Sequence, residues 1–369
     1  MSKLYEPLDL GAIKLSHRVV QAPLTRLRAE LPGDVPGALM AEHYGQRASA
    51  GGLQIAEATH ISITGRGYLG APGIYSDAQV VGWRKVTDAV HAKGGRIFLQ
   101  LWHVGRQSHV DNTGGVAPVA PSAIQYEQVV VTQDGWVPVS PNRALELDEI
   151  PGIVEEFRQG AIRAKAAGFD GVEIHGANGY LIDQFIQDGT NKRTDRYGGP
   201  VENRARLLFE VVEAAASVWG GDRVGVRLGP SGTWASMSDS NPEQTFGYIA
   251  EQLNRYGLAY LHIIEPRIVG AEAPVDGKPP VAAAQIRKLF KGAIIVAGGF
   301  DREGAQHIVD GGDADLVAFG RHFSANPDLP ERLRRNLPLT PYDRDTFWGG
   351  TGVGYTDFHP YEEAEAEAA

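Results

Sequence analysis

Short apolar runs recur along the chain, each followed by a stretch with helical spacing. They span Arg18 to Ala22, Leu53 to Ile61, Arg96 to Trp102, Gly171 to His175, Arg223 to Leu228, Leu258 to Ile264, Ile294 to Ala297 and Ala314 to Phe319. Their cores lack the apolar–polar alternation of a half-exposed sheet, as expected of strands covered on both faces. The stretches between them predict helices over 37–50, 77–93, 149–167, 201–219, 242–257, 280–290 and 301–310. Asp148 is placed to cap the third of these, and Asn241-Pro242 suits the start of the fifth. The count and spacing predict an α/β fold, a closed (β/α)8 TIM barrel. An open doubly wound sheet is the structural alternative.

Two segments depart from the repeat. Leu4 to Leu15 holds two apolar stretches around Gly11 and predicts a small N-terminal hairpin. Residues 107–142, after the third strand, carry no helical pattern; YEQVVV and GWVPVS flank Asp134-Gly135, a hairpin signal. Such an insertion is longer than a connector needs, which predicts a lid or substrate-binding excursion. We therefore expect one barrel domain over 1–358 and a disordered acidic tail over 359–369.

Composition narrows the function classes. With 43% hydrophobic residues the chain can build a large core, and its net charge of −10 argues against nucleic acid as a partner. A local basic pocket is compatible with that balance. The absence of cysteine excludes disulfides, Cys-ligated zinc, iron–sulfur centres and thiolate nucleophiles. No apolar run reaches the roughly 18 residues of a membrane span, and no secretory h-region is evident. The expectation is a soluble, cytoplasmic protein without a membrane partner.

Candidate chemistry concentrates in AGFDGVEIHGANGYLIDQF, from Ala167 to Phe185. An apolar strand there runs into His175, Asn178 and Tyr180, crowded with two glycines into one bend. In a barrel, polar groups at C-terminal strand ends share one face. Pro23, Leu24, Thr25, Ala58, Gln100, Arg227, Gly298, Gly299, Gly320 and Arg321 all fall there. The glycines after the last two strands, with Arg321, point to a phosphate site. Gln100, Thr25 and Arg227 suit a polar heteroaromatic ligand. Glu173 shares its side of the strand with His175, as acid–base machinery or as a buried support.

Other motifs carry less. Gly65, Gly67 and Gly70 match GxGxxG, but Ala71-Pro72-Gly73 follows instead of a helix, so a loop is expected rather than a dinucleotide fingerprint. His103, His175 and His262 lie near strand ends, yet there is no HxH pair on the first strand and no terminal Asp ligand, so no metal is expected. No GxSxG elbow and no GxxxxGK[ST] loop occur.

Several of these stretches carry a family resemblance. APLTR at Ala22–Arg26, AEATHIS at Ala56–Ser62, LQLWHVGR at Leu99–Arg106, the stretch around His175, TDRYGGPVENR at Thr194–Arg204 and FGRHFSANPDLPER at Phe319–Arg332 resemble the Old Yellow Enzyme family. These are FMN-dependent ene-reductases, and the likeness is strongest to the bacterial branch of N-ethylmaleimide, nitrate-ester and morphinone reductases. It covers about Leu4 to Phe358. The resemblance implies a tightly but non-covalently bound FMN, NADPH or NADH as reductant, and reduction of activated alkenes: enones, maleimides and nitroalkenes. Denitration of nitrate esters is a further implied reaction.

It also implies roles. Thr25 would meet the flavin C4 oxygen; Pro23, Leu24 and Ala58 would line the flavin; Gln100 and Arg227 would bind its pyrimidine edge; Gly298, Gly299, Gly320 and Arg321 would hold the phosphate. His175 and Asn178 would grip the acceptor's oxygen and Tyr180 would donate the proton. Tyr68, Trp102 and Trp348 would shape the substrate cavity, and Arg143 would help the lid meet the nicotinamide. Some relatives have His where Asn178 stands, and close ones often have Tyr in place of Trp348. Monomers and homodimers both occur in the family. Other FMN barrels, such as dihydroorotate or 2-hydroxy-acid oxidoreductases, should lack the His175–Asn178–Tyr180 arrangement, and a binding barrel without catalysis should hold no reducible flavin.

Overall fold

The computed structural model describes residues 2–266 and 282–361. Eight parallel strands close into a barrel. We number them β1 Val19–Gln21, β2 Leu53–His60, β3 Arg96–Trp102, β4 Gly171–Gly176, β5 Val224–Leu228, β6 Tyr260–Ile264, β7 Ile294–Ala297 and β8 Leu316–Phe319. β8 pairs back onto β1 through Val317 and Val19, which closes the ring. Both faces of the strands are buried: β2 is buried at every position, as are β4 to β8. This accounts for the continuous apolar runs in the sequence.

Helices pack outside. Asp77–Ala92 begins with a capping box from Ser76 and Gln79, while Asn241 and Asp301 cap Pro242–Leu253 and Arg302–Gly311 with their side chains. The helix Ile150–Ala166 differs from expectation. Its N-cap is Glu149, with no side-chain cap bond, and Asp148 is exposed. The expected helix over 201–219 is interrupted at Ala205, leaving Val201–Arg204 and Arg206–Trp219. Of the helix expected over 280–290, Ala283–Ile286 is helical, and its predicted first residues lie outside the described ones. The acidic tail from Glu362 onward lies outside them too.

The N-terminal hairpin pairs Leu8–Leu10 with Ile13–Leu15. Leu10, Ile13 and Leu15 join a core cluster with Phe98 and Tyr260, plugging one end of the barrel. The insertion after β3 returns to the scaffold where Val119–Ala120 pairs with Arg143–Ala144. Within it, Val129–Thr132 and Gly135–Pro138 form the expected hairpin around Gln133-Asp134. Gly135 has φ +89, a conformation open to glycine at little cost. No helix among the described residues is long and apolar enough to cross a membrane.

Candidate active site

The bend after β4 is built by the helix that follows it. Asn178 and Gly179 are both left-handed, with φ +58 and +72. Asn tolerates this conformation, and a Cβ at Gly179 would come within 3.0 Å of Ala235 Cβ and the Trp234 carbonyl. From helix Leu181–Ile186, Asp183 accepts the Gly179 N–H at 2.9 Å and Gln184 donates to the Gly179 carbonyl at 2.7 Å. Tyr180 is the N-cap of that helix. Burial pushes the Asp183 carboxyl up to about 7.

Strand register brings the next groups together. His175 on β4 lies opposite Arg227 on β5, which lies opposite His262 on β6. Glu173 on the same strand accepts from Gln100 Nε2 at 2.7 Å and from His262 Nδ1 at 2.9 Å. Burial raises its carboxyl, but His262, Arg227 and Gln100 outweigh that and leave it below the ordinary value. Glu173 is fully buried and consumed by these partners, so of its two expected readings the structure supports the buried support. Burial, then Arg227 and His262, hold the His175 pKa well below 6.5, so its ring is neutral. Among the described residues the Nδ1 of His175 and the Nε of Arg227 are buried without a partner, a costly state unless a ligand meets them.

Two cavities open at this end and share Trp348. One, of about 420 Å³, is lined by Pro23, Leu24, Asn178, Arg227, Gly298, Gly299, Gly320, Arg321, Tyr342 and Arg344 among others. Among the described residues, three arginines face it and no carboxylate does, in a chain whose net charge is −10. A Cβ on Gly299 would project to 3.8 Å from Arg321 Nη2, and one on Gly320 would meet nothing nearer than Ala22 Cβ at 3.9 Å. Bare glycine backbone therefore faces the arginines, a cradle suited to a phosphate. The second cavity, about 350 Å³, is lined by Thr25, Leu27, Tyr68, Trp102, Trp136, Tyr180, Trp234 and Trp348. Trp102 packs edge-on against Tyr180 at 4.8 Å between ring centroids, and Tyr180 packs edge-on against His175 at 5.2 Å. A cavity of about 480 Å³ near Ser16, Ala50 and Lys93 lies by the N-terminal strand ends, away from this chemistry.

Trp348 is held over the mouth by buried cations. Arg26 Nε and Arg28 Nη1 both donate to the Phe347 carbonyl, at 2.9 and 3.1 Å. Arg26 also reaches the Gly354 carbonyl at 2.7 Å, and Arg28 stacks over Tyr355 at 4.5 Å. Trp348 meets Trp136 of the insertion hairpin edge-on at 6.2 Å, so two distant segments join across the opening.

Most of the residues singled out in the sequence converge here; His175 and Gln100 do so from the barrel wall without lining either cavity, whereas Ala58 and Arg143 stand apart. Ala58 packs with Leu27, Ala71, Trp102 and Val104 and lines neither cavity. A β-bulge lies between Ala56 and Thr59, where β2 shifts register against β3. Arg143 is exposed and committed to Glu149 through two hydrogen bonds of 2.7 Å, outside both cavities. Arg344, Tyr342, Trp136 and Trp234 were not foreseen. Trp136 sits on the short hairpin strand Gly135–Pro138 and the others in loops or single turns outside the barrel repeat, where periodicity says nothing about direction. The GxGxxG segment is a loop: a Cβ at Gly67 would clash with Val104 Cγ1 at 2.6 Å, so the pattern reflects packing on the end of β3. Among the described residues no three His, Asp or Glu converge as a metal site.

A family model described as NADH:flavin oxidoreductase / NADH oxidase matches residues 3–340. The chain is 46% identical to 12-oxophytodienoate reductase 1 of Oryza sativa subsp. japonica, over 99% of this chain and 95% of that protein. A solved structure of morphinone reductase in complex with tetrahydroNAD superposes with a TM-score of 0.91 at 52% identity, covering 99% of both chains. The old yellow enzyme homologue from Zymomonas mobilis superposes with a TM-score of 0.91 at 46% identity, over 97% of this chain and 99% of that one.

Proposed function

The chain belongs to the NADH:flavin oxidoreductase / NADH oxidase family, the Old Yellow Enzymes, and from that premise we propose that it reduces enones, maleimides and nitroalkenes, with Tyr180 as proton donor. It is an FMN-binding, NAD(P)H-dependent oxidoreductase with the ene-reductase activity of that family. The kinds of acceptor and the residue roles are our reading. Nitrate esters are included as candidate acceptors.

One observation carries the reading. A cavity that three arginines and no carboxylate of the described residues line, and an aromatic cavity, share Trp348, and the bend from His175 to Tyr180 reaches both through Asn178 and Tyr180. The residues present fit FMN. Arg321, Arg344 and the backbone at Gly298, Gly299 and Gly320 would hold its phosphate. Arg227 and Gln100 would take the pyrimidine edge, Thr25 the C4 oxygen, and Pro23 and Leu24 the ring. Bound flavin supplies the hydride carrier between nicotinamide and alkene.

The protein's part is to bind, polarise and protonate. His175, neutral, and Asn178 would donate hydrogen bonds to the acceptor's carbonyl or nitro oxygen. Those bonds strengthen as negative charge develops on that oxygen, which is where they lower the barrier. Burial, first among the causes, keeps the Tyr180 phenol well above its ordinary pKa, so it stays protonated as an acid. Its proton would go to the α-carbon. Tyr68, Trp102 and Trp348 would pack the acceptor's apolar body and exclude water. The relatives' names, reductases of 12-oxophytodienoate and of morphinone, support a carbonyl-bearing acceptor.

The test is anaerobic. Holoprotein is bleached with NADPH or NADH, then mixed with a cyclic enone, a maleimide, a nitroalkene and a nitrate ester. Rapid return of the yellow colour with the first three is expected. A reduced protein that none of the four reoxidises overturns the proposal.

A further inference from the structure

Arg106 stands just beyond β3 and is buried, with 1% of its surface exposed. Its two terminal nitrogens serve different segments. Nη1 donates to the Ile124 carbonyl of the insertion at 3.1 Å, and Nη2 donates to the Ala235 carbonyl of the loop after β5 at 2.8 Å. The Tyr126 ring, also of the insertion, covers the guanidinium at 4.0 Å. The main chain is fixed as well. The Arg106 N–H donates to Gln184 Oε1 at 3.3 Å, and Gln184 holds the Gly179 carbonyl of the bend after β4 at 2.7 Å. One planar group thus spans the insertion and the β5 loop from a base anchored to that bend. A lysine ammonium offers a single nitrogen in place of this fork and no flat face for the ring.

The carbonyl held on the β5 side belongs to a strained turn. Ala235 and Ser236 are both left-handed, with φ +59 and +57, a conformation that residues with a Cβ rarely adopt. Such a turn persists only where its surroundings fix it. Directly before it stands Trp234, which lines the aromatic cavity and packs against Tyr180 at 5.7 Å between ring centroids. The facing wall of that cavity comes from the insertion, through Gln128, Val129 and Trp136. Arg106 stands outside the lining and joins the segments that carry the two walls from behind.

We propose that Arg106 is a positioning residue for acceptor selectivity: by holding the Ala235 carbonyl it keeps Trp234 against the apolar body of large acceptors. This rests on the reading of the aromatic cavity as the acceptor site. A small acceptor is held at its oxygen by His175 and Asn178 and has no body to lay on that wall. An acceptor with an aromatic substituent extends into the cavity and gains the Trp234 face. Loss of Arg106 should therefore fall on the KM of large acceptors and leave the reacting bond untouched.

Maleimide and N-phenylmaleimide share one reacting double bond and differ in their apolar body, so steady-state kinetics of the holoprotein with the two test this at saturating NADPH or NADH. Wild type, Arg106→Lys, Trp234→Ala and the double variant Arg106→Lys/Trp234→Ala are compared. Arg106→Lys should raise KM for N-phenylmaleimide about 5- to 20-fold, the worth of one aromatic wall contact, with kcat and the maleimide constants changed less than about twofold. An arginine that only stabilised the fold would lower kcat for both acceptors alike, and that outcome overturns the proposal. Trp234→Ala should raise the N-phenylmaleimide KM at least as much. The double variant should be no worse than Trp234→Ala, and multiplicative losses would overturn the proposal. If Trp234→Ala leaves that KM unchanged, the reading of the aromatic cavity as the acceptor site fails. If Trp234→Ala raises it while Arg106→Lys does not, only the present inference fails. Should Arg106→Lys not fold, Tyr126→Leu uncovers the guanidinium and leaves both carbonyls in place. It should raise the N-phenylmaleimide KM about 2- to 5-fold, and an unchanged KM counts against the proposal.

Discussion

His175 stands directly opposite Arg227 on neighbouring parallel strands, and both present a buried nitrogen that no atom of the described residues satisfies. The pairing joins a neutral donor to a fixed positive charge. Burial and that charge keep His175 from ionising, while Arg227 is compensated by Glu173.

His175→Ala should weaken binding of a phenol, a carbonyl-acceptor mimic, about 10- to 100-fold with FMN content retained. Because the His175 pKa lies well below 6.5, phenol affinity in wild type should show no histidine step between pH 6 and 8. Difference spectra on titrating the holoprotein measure both. Unchanged affinity in the variant removes His175 from the acceptor site.

Tyr180→Phe should slow enone reduction about 100-fold and spare reduction by NAD(P)H. The phenyl ring keeps the edge contact with Trp102, so packing alone cannot account for a loss. Equal slowing of both half-reactions would reject the donor role.

Arg321→Ala should weaken FMN binding about 10-fold or more while leaving riboflavin affinity nearly unchanged, since only FMN carries the phosphate. Competition with apoprotein at two salt concentrations gives the ratio. A parallel loss for both flavins would move the phosphate away from the Gly299–Gly320 cradle.

Asp183 supplies a pH test of the bend. Its folded pKa is raised by burial from 3.8 to about 7, so the folded state holds the proton more tightly than the unfolded chain. Its contribution is fully present below pH 3.8 and is lost as pH rises to about 7. Asp183→Asn cannot titrate. Its stability relative to wild type should therefore climb between pH 5 and 7 and level off above. Urea midpoints at fixed pH intervals measure the difference, and a flat difference contradicts the raised pKa.

Much of the site was legible before the structure. β3 and β7 ended where the apolar runs ended, and the bend at Asn178–Tyr180 was marked by its own residues. Arg143 shows where reading along the chain stops. The resemblance implied a nicotinamide contact for Arg143, whereas here Glu149 accepts from its two terminal nitrogens, outside both cavities. Glu173 is the same lesson inside the barrel: alternation placed it beside His175, yet Gln100 and His262 consume it.

Strand count, barrel closure and the polar groups at the C-terminal rim were written in the sequence, because burial on both faces imposes a pattern that neighbouring residues repeat. The tertiary structure alone decided which polar groups are spent on one another and which stay free for a ligand. It alone brought Trp136, Trp234 and Trp348 to one mouth, and set Arg106 between Ile124 and Ala235. Those outcomes depend on distances between segments far apart in the chain, and no local period records such distances.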